Sequence, residues 1–392
     1  MSKYIKPKKL PNQFPNVVEA TGKPYDIGYK IGSELKDIIK ETAKRWFHFL
    51  SSVPLKSTKP AQIAGVALSK DDALNISGKM IPYALEYAPD LVEECRGIAK
   101  GASLKFEEIF NLNCFLDMYD HVLLPSTRWK PWLGKVSCTT VAVSGIATQN
   151  KKDVIIGQNY DLDQPETFQE ASTILKLSPD EGPSVILYTI AGAVGCAGLN
   201  SSGIGIVINK LWSSDAGAGV PYCFLVRKAL QKDLVSDVLE SVATVKRASG
   251  THFLITNLTG DIFSLEVTAT KHEIVSPTDG VYAHTNHYLT HELKPFDISG
   301  PWIGNSHVRL SRIRRLLHEN MGKITLEKCQ EWLKDHVNYP YSICRHGSEK
   351  EPMESGARTI SSFFFLPKES KMLATYGNPC TQSYKEYLVP KL

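Results

Sequence analysis

SCTTVAVSGIATQNKKDVIIGQNYDLD, residues 137–163, holds two runs rich in β-branched residues with a polar segment between them. Residues 139–144 and 154–160 predict two strands, and the Asn-Lys-Lys-Asp segment predicts the loop that joins them. In an antiparallel pair, the start of one strand lies beside the end of the other. Cys138 and Asp161 are therefore expected to lie close together.

The chain changes character at this hairpin. Before it, apolar residues recur at helical spacing over residues 25–51, and Pro89 begins a further helix. After it, short β-branched runs alternate with Gly, Asn, Asp and Pro, and helical segments occur within 224–245 and 306–336. This order favours an α+β fold with layered antiparallel sheets. With no repeat or linker, one domain spanning residues 1–392 is expected.

Three glycines make specific predictions about the helical region. Gly28 and Gly32 are four residues apart on one helix face, where they would let another element approach closely. Gly101 is expected to close the helix that Pro89 begins.

Composition excludes several classes of function. With 42% hydrophobic and 22% charged residues, the chain has the profile of a soluble globular protein, and a net charge of +4 is too small to indicate nucleic-acid binding. Neither a signal peptide nor an apolar run able to span a membrane is apparent. Eight cysteines without a C-x-x-C pair indicate reduced thiols, so a cytoplasmic location is expected.

Cys138 is the candidate nucleophile. A cysteine at the start of a strand is usually a small buried hydrophobe. If the chain cut itself after Ser137, however, the new α-amino group, with a pKa of about 7.7–8.0, could accept the thiol proton without a histidine. Asp161 could orient that amine, and Asn286, which follows a predicted strand, carries an amide suited to an oxyanion hole.

Six motifs extend this pattern along the chain: Gly22-Lys-Pro-Tyr-Asp-Ile-Gly-Tyr-Lys-Ile-Gly, Cys138-Thr-Thr, Gly157-Gln-Asn-Tyr-Asp, Gly198-Leu-Asn-Ser-Ser-Gly, His284-Thr-Asn-His-Tyr and Tyr341-Ser-Ile-Cys-Arg-His. Together they resemble the peptidase C45 family, the acyl-coenzyme A:6-aminopenicillanic acid acyltransferase-like N-terminal-nucleophile (Ntn) hydrolases, which include insect β-alanyl-dopamine hydrolase. The resemblance implies a four-layer αββα sandwich with two antiparallel sheets and a helical N-terminal segment. It also implies self-cleavage into an α chain, residues 1–137, and a β chain, residues 138–392.

The resemblance further implies roles for single residues around the nucleophile. Asp161 is similar to the aspartate that contacts the nucleophile's amine, and Asn286 to the oxyanion-hole side chain. Asn209 is similar to a second oxyanion residue, which acts through its backbone N–H. Arg358 is the candidate active-site arginine, and Arg345 competes with it.

One departure from the family concerns the residue before the nucleophile, which is usually glycine and in this chain is Ser137. Serine restricts the backbone more than glycine does, so self-cleavage is expected to be slowed but not abolished. The same departure supports an alternative, an unprocessed binding protein or pseudoenzyme on the same scaffold.

The function implied by the resemblance is an amidohydrolase that cleaves a small-molecule N-acyl amide through an acyl-enzyme on Cys138. The alternative is an acyltransferase that moves an acyl group from a thioester such as acyl-CoA to an amine. Hydrolysis is favoured over acyl transfer because water is always present and no coenzyme A site can be recognised in the sequence. No metal or organic cofactor is implied. The candidate substrate-binding residues are Tyr160, Tyr288, Trp212 and Arg345, of which Trp212 and Tyr288 lie in predicted pocket loops at 211–220 and 288–302.

Two other patterns have simpler interpretations. His284, His287 and His291 resemble a metal-binding series, but zinc peptidases carry H-E-x-x-H on a helix, and this segment begins as a strand. These histidines are therefore expected to line a pocket or to pack. The basic block at residues 307–315 is expected to be a solvated helix face, and contact with an acidic ligand or coenzyme A phosphate is the alternative.

Overall fold

The protein's computed structural model describes residues 11, 14–52, 68–123, 137–162, 165–299, 303–347 and 357–391. Its helices are α1 (Pro24–Glu34), α2 (Lys36–Ser52), α3 (Lys70–Gly78), α4 (Ile81–Tyr87), α5 (Pro89–Ala102), α6 (Phe106–Asn113), α7 (Phe115–Leu123), α8 (Pro165–Glu170), α9 (Tyr222–Ala229), α10 (Val235–Ala243), α11 (Gly304–Glu319) and α12 (Leu326–Leu333). Within these ranges, no helix has the length and apolar character needed to cross a membrane.

The strands are β1 (Asn16–Gly22), β2 (Ser137–Ser144), β3 (Val154–Leu162), β4 (Ser172–Pro179), β5 (Val185–Ile190), β6 (Ala197–Asn200), β7 (Gly205–Lys210), β8 (Thr251–Thr256), β9 (Ile262–Val267), β10 (His272–Val275), β11 (Val281–His284), β12 (Arg358–Leu366), β13 (Lys371–Tyr376) and β14 (Lys385–Leu388). They form an eight-stranded sheet, in the order β1-β4-β5-β6-β7-β8-β9-β10, and a six-stranded sheet, in the order β11-β2-β3-β12-β13-β14. Neighbouring strands are antiparallel, except that β1 and β4 run parallel at one edge.

The two sheets lie face to face between layers of helices. Successive residues of a strand point to opposite faces, so Ala142 of β2 joins the core between the sheets whereas Val141 joins a second core. This second core lies under α11 and α12, which cover the outer face of the smaller sheet. Helices α1 and α9 contact the larger sheet. The predicted four-layer αββα arrangement is confirmed.

The central hairpin is covered on both faces, and every residue of β2 and β3 is buried. Strands buried on both faces read as continuous β-branched runs rather than as an apolar–polar alternation, and this is how both segments could be recognised in the sequence. The register places Ser137 opposite Asp161, and Cys138 opposite Tyr160. Cys138 and Asp161 therefore lie on neighbouring strands, one register position apart.

Helices α1 and α5 approach closely through glycines on both. A Cβ atom on Gly28 would lie 2.0 Å from the carbonyl oxygen of Glu94, and one on Gly97 would lie 2.1 Å from that of Tyr25. The close approach predicted from Gly28 and Gly32 is thus confirmed. Gly101 belongs to the same contact and does not close the helix, because α5 continues to Ala102 and Ser103 takes the left-handed conformation, with φ 54°.

Other differences from the predicted elements are local. The helix expected over residues 25–51 is divided at Leu35 into α1 and α2. Strands β6 and β14 were not predicted, because neither contains a β-branched residue.

Replacing Gly97 with alanine tests the contact between α1 and α5. We expect Gly97→Ala to lower the free energy of unfolding by about 3 kcal/mol, because the new methyl group meets backbone that moves only with its helix. Gly78→Ala is the matched control, since nothing lies within 4 Å of a Cβ built there. Urea unfolding should show little change for the control, and equal effects of the two substitutions would contradict the close contact.

Candidate active site

Cys138 is the second residue of β2, and its side chain is buried in the core between the sheets. Its backbone N–H donates a hydrogen bond of 2.8 Å to Oδ1 of Asn286. The register explains this contact: β11 pairs His284 with Thr140 and then ends, so Asn286, two residues further on, lies opposite Cys138. The side chain of Asn286 thus continues the ladder beyond the strand.

Arg309 of α11 joins these two segments. Its Nη1 donates to the carbonyl oxygen of Cys138 at 2.5 Å and to Oγ1 of Thr139 at 2.9 Å, and its Nη2 donates to Oδ1 of Asn286 at 3.0 Å. Ser306, one helical turn earlier, accepts the backbone N–H of Asn286 at 2.7 Å. One face of α11 therefore holds both the strand of Cys138 and the loop of Asn286.

The prediction that the basic block is a solvated face is wrong for Arg309. The block is amphipathic, with Arg314 and Arg315 exposed and Arg309 only 1% exposed. Helical periodicity shows that Arg309 lies on a different face from Arg314 and Arg315, but not which face points into the protein. The packing of α11 on β2 and β11 decides that.

Ser137 takes part in a second network. Its hydroxyl donates to Oδ2 of Asp161 at 2.8 Å and accepts from Nη1 of Arg345 at 2.9 Å. The Thr359 hydroxyl donates to Oδ1 of Asp161 at 2.7 Å. Ser137 does not have a positive φ, so this backbone conformation does not require the glycine that the family usually carries.

Arg358 is not brought to this cluster, although it was the first candidate for the active-site arginine. Its guanidinium lies 3.1 Å from Glu166 and 3.1 Å from Gln169. The next residue, Thr359, faces Asp161, and because neighbours on a strand point to opposite faces, Arg358 points away. Arg345, the competing candidate, is the arginine that contacts the predicted junction.

Two amide groups face the space between the sheets. Nδ2 of Asn209 has no hydrogen-bond partner among the described residues, and the Gln158 amide interacts with the Cys138 thiol. Oδ1 of Asn209 accepts from Thr140 and from Nδ1 of His252, each at 2.8 Å. The predicted donor was the backbone N–H of Asn209. Asn209 pairs with His252 in the antiparallel register, and two residues further on the Leu211 N–H bonds the Gly250 carbonyl. Because hydrogen-bonded pairs alternate along an antiparallel ladder, the Asn209 N–H is already used within the sheet. The side chain is the better donor.

The surroundings of Cys138 in the intact chain disfavour the thiolate form of its side chain. Burial raises the pKa of its thiol to about 12 and the nearby Asp161 carboxyl adds to the rise, while the Asp161 backbone N–H, the Gln158 amide and Arg309 act against it. Burial also raises the pKa of Asp161, which Arg309 opposes, and lowers the pKa of Arg309 to about 10. At neutral pH the thiol is therefore protonated, and activation requires a base in direct contact.

Glu266 of β9 fixes the loop that carries Asn286. It accepts hydrogen bonds from Nε2 of His284 and from the backbone N–H of Leu289, both at 2.7 Å, and from Thr290. Burial raises the pKa of Glu266, but these donors outweigh it and bring the pKa down to about 2. His284 is thus a positioning residue. In the described part of the chain, the cluster of potential metal ligands lies elsewhere and contains none of His284, His287 and His291.

A buried ion pair lies beside the amide donors. Lys210 follows Asn209, its carbonyl accepts Nδ2 of Asn286 at 3.1 Å, and its Nζ lies 2.5 Å from Oδ2 of Asp120 in α7. Burial raises the pKa of Asp120 to about 7 and that of nearby Asp117 to about 6, and Lys210 opposes both shifts. Sequence patterns gave no sign of this pair, because its members are 90 residues apart.

The aromatic residues predicted to bind substrate occupy different surroundings. Tyr160 lies opposite Cys138, with its hydroxyl 3.5 Å from that of Tyr222. Trp212 lies under Nζ of Lys210, 5.5 Å from the ring centroid. Tyr288 is buried and donates to the carbonyl of Val267, as expected of a packing residue. Trp302, at the end of the second predicted pocket loop, lies outside the described residues.

Replacing Arg309 with lysine tests whether the guanidinium holds the site together. We expect Arg309→Lys to lower the free energy of unfolding by about 1–3 kcal/mol, because one ammonium group cannot serve all three buried acceptors. Arg315→Lys, on the exposed face of the same helix, should change it by less than about 0.5 kcal/mol. Denaturant unfolding of both variants decides, and equal values would contradict this assignment.

Solved structures that resemble this chain include two amide-cleaving enzymes. A Caenorhabditis elegans orthologue of N-acylethanolamine-hydrolyzing acid amidase is 13% identical, with 59% of this chain and 93% of that chain covered and a TM-score of 0.44. Penicillin V acylase from Agrobacterium tumefaciens is 10% identical, with 65% and 87% covered and a TM-score of 0.43. The order of the layers in this protein rests on its own strand pairing and helix contacts.

Sequence comparison gives the family directly. The 40 kDa form of acyl-coenzyme A:6-aminopenicillanic-acid-acyltransferase from Emericella nidulans is 27% identical over 368 residues, or 92% of each chain. Residues 148–381 match the model of the acyl-coenzyme A:6-aminopenicillanic acid acyl-transferase family. The matched segment begins ten residues after Cys138 and includes Asp161, Asn209 and Asn286. Since this match covers more than half of the chain, the protein belongs to the acyl-coenzyme A:6-aminopenicillanic acid acyl-transferase family.

Proposed function

We propose that the protein is an autoprocessing cysteine amidohydrolase, a single Ntn-type domain that cuts itself between Ser137 and Cys138. The observation that carries the proposal is the double anchoring of this junction. Asp161 and Arg345 hold the Ser137 hydroxyl, while Asn286 and Arg309 hold the backbone N–H and C=O of Cys138. The peptide bond between the two residues is thus fixed from both sides.

Self-cleavage would proceed in two steps. The Cys138 sulfur attacks the carbonyl carbon of Ser137 while its proton passes to the peptide nitrogen, so that the C–N bond breaks and a thioester forms. Water then hydrolyses the thioester, which leaves a carboxylate on Ser137 and a free α-amino group and thiol on Cys138. The backbone of Ser137 does not have a positive φ. Any slowing of self-cleavage by serine would therefore come from its side chain and not from its backbone conformation.

The new amine would supply the base that the intact site lacks. An α-amino group with a pKa of about 7.7–8.0 is partly neutral at pH 7 and belongs to the same residue as the thiol. Asp161, on the neighbouring strand, would orient it. The thiolate would attack the acyl carbonyl, and the amides of Asn209 and Gln158, together with that of Asn286, would stabilise the oxyanion.

Hydrolysis and acyl transfer share every step up to the acyl-enzyme on Cys138. The similarity to the Emericella nidulans acyltransferase specifically favours the second candidate, transfer of an acyl group from a thioester to an amine. The substrate class is therefore a small-molecule N-acyl amide or acyl thioester. The free thiols of the described cysteines suit a reducing, cytoplasmic setting.

Cleavage is tested by intact mass and a denaturing gel of the full-length protein. We expect two chains, residues 1–137 and 138–392, in the wild type, and one uncut chain in Cys138→Ala. Activity on a panel of N-acyl amines and acyl thioesters, with and without an amine acceptor, should fall by at least about 10³-fold in Cys138→Ala. Product analysis of the same panel separates hydrolysis from transfer.

Cys95→Ala is the control for removing a buried thiol, because Cys95 lies in α5, away from the junction. It should cleave itself and turn over substrate like the wild type. An uncut wild-type chain whose Cys138 stays inert would favour the binding-protein alternative, and activity that survives in Cys138→Ala would disprove the mechanism.

The oxyanion assignment is tested with Asn209→Asp. Aspartate keeps an oxygen that accepts from Thr140 and His252, and it replaces the amide donor with a second carboxyl oxygen, which also adds an acidic group to the buried site. We expect kcat to fall about 10²–10³-fold with a much smaller change in KM, because the donor acts on charge that develops in the transition state. Ser264→Ala, which removes the next partner of His252, should leave kcat within a few-fold. An unchanged kcat in Asn209→Asp would show that other groups bind the oxyanion.

A further inference from the structure

Four side chains that can bind a metal ion lie close together at one end of the smaller sheet. They are His336, which follows α12; Cys344 and His346, in the next loop; and Cys380, after β13. One ligand atom from each lies within 4.8 Å of all the others. None of the four contributes a side chain to the catalytic cluster, and the sequence patterns assigned no role to any of them.

The distances between both sulfurs and Nε2 of His346 match the edges of a tetrahedron around a metal ion. Zinc lies about 2.3 Å from thiolate sulfur and about 2.0–2.1 Å from imidazole nitrogen, which gives tetrahedral edges of about 3.3–3.8 Å. The sulfurs of Cys344 and Cys380 are 3.6 Å apart, and Nε2 of His346 lies 3.5 Å from each. The two Nε2 atoms of His336 and His346 are 3.0 Å apart.

Direct pairing of the two thiols is a poorer account of the cluster. A disulfide needs sulfurs about 2.05 Å apart, and both cysteines are free thiols. A disulfide would also leave unexplained why two imidazoles direct nitrogen atoms at the same point. A cation explains all four orientations at once.

We propose that His336, Cys344, His346 and Cys380 bind one zinc ion in a structural Cys₂His₂ site. Thiolate and imidazole ligands select zinc over magnesium or calcium, and four protein ligands leave no open position for catalysis. Binding releases the two thiol protons to solvent, and no electron transfer is involved. This revises the expectation, from sequence, that no metal is implied.

The contacts around the ligands show what the ion would stabilise. Asn378 directs Nδ2 at the sulfur of Cys344, 3.5 Å away, and at the carbonyl of Arg345, 2.7 Å away. The His346 N–H bonds the Pro340 carbonyl at 3.0 Å, which folds the loop back on itself. Arg345 lies between two ligands and contacts Ser137, so the ion would hold the arginine in place at the junction.

The test uses the full-length protein, purified in a reducing buffer and analysed for metal. We expect about one zinc per chain by plasma mass spectrometry. After exchange with Co²⁺, we expect the visible d–d absorption of a tetrahedral site together with thiolate-to-cobalt charge transfer in the near ultraviolet. Cys380→Ser should reduce the charge-transfer absorption by roughly half, because one of two thiolates is lost. His336→Ala changes only the exposed ligand and should lower zinc retention at least tenfold.

Cys329→Ser is the matched control, since Cys329 is a buried cysteine of α12 outside the cluster, and its metal content and cobalt spectrum should equal those of the wild type. The cobalt spectrum of the wild type needs no variant to fold. Less than about 0.1 metal per chain after incubation with Zn²⁺ or Co²⁺, a Cys344–Cys380 disulfide in the freshly isolated protein, or binding that neither ligand substitution weakens would each overturn the proposal.

Discussion

The guanidinium of Arg309 is the interaction on which the candidate site depends. It is buried, and it bonds three oxygens from two separate segments of the chain: the Cys138 carbonyl, the Thr139 hydroxyl and the Asn286 amide. Burying a cation costs several kcal/mol unless acceptors replace its water. In this site three acceptors and the charge of Asp161 reduce that cost, and as a consequence the strand of Cys138, the loop of Asn286 and α11 are held in one geometry.

A second constraint is the polar network between two otherwise apolar sheets. Thr140, Asn209, His252 and Ser264 form a continuous hydrogen-bonded row across this interface. Burial lowers the pKa of His252 well below its ordinary value, so the row is uncharged at neutral pH. An apolar interface would be easier to bury, since each unpaired donor costs about 1–3 kcal/mol. The unpaired amide donor of Asn209 within this row therefore supports its proposed role in binding the oxyanion.

The junction and the proposed zinc cluster are mechanically related. Arg345 extends from the loop between Cys344 and His346 to the Ser137 hydroxyl, and its Nε also bonds the Ala357 carbonyl at 3.0 Å. A loop is ordinarily more mobile than the elements it connects, and is therefore a poor support for a buried charged group. Metal ligation at both neighbours of Arg345 would remove that freedom, which explains why a scaffold with a large core would still use a metal.

Much of the fold was present in local sequence pattern. The β-branched runs, the hairpin around Cys138 and the six ordered motifs predicted the layered sandwich and the family, and both are confirmed. These features depend on residues close together in the chain, where side-chain period and turn chemistry act directly. Cys138, Asp161 and Asn286 were chosen in this way, and their catalytic roles remain predictions that rest on the hydrogen bonds and register of the junction.

The tertiary structure decided what local pattern could not express. Which arginine points inward depends on how helices and strands pack, so Arg309 and Arg345 replaced Arg358 at the site. The Lys210–Asp120 pair and the cluster completed by Cys380 join residues far apart in sequence. The sequence alone determined where most of the strands lie along the chain and which residue is the candidate nucleophile, because both depend on local pattern. Only folding determined its partners, because hydrogen bonds and charges act over distances in space and not along the chain.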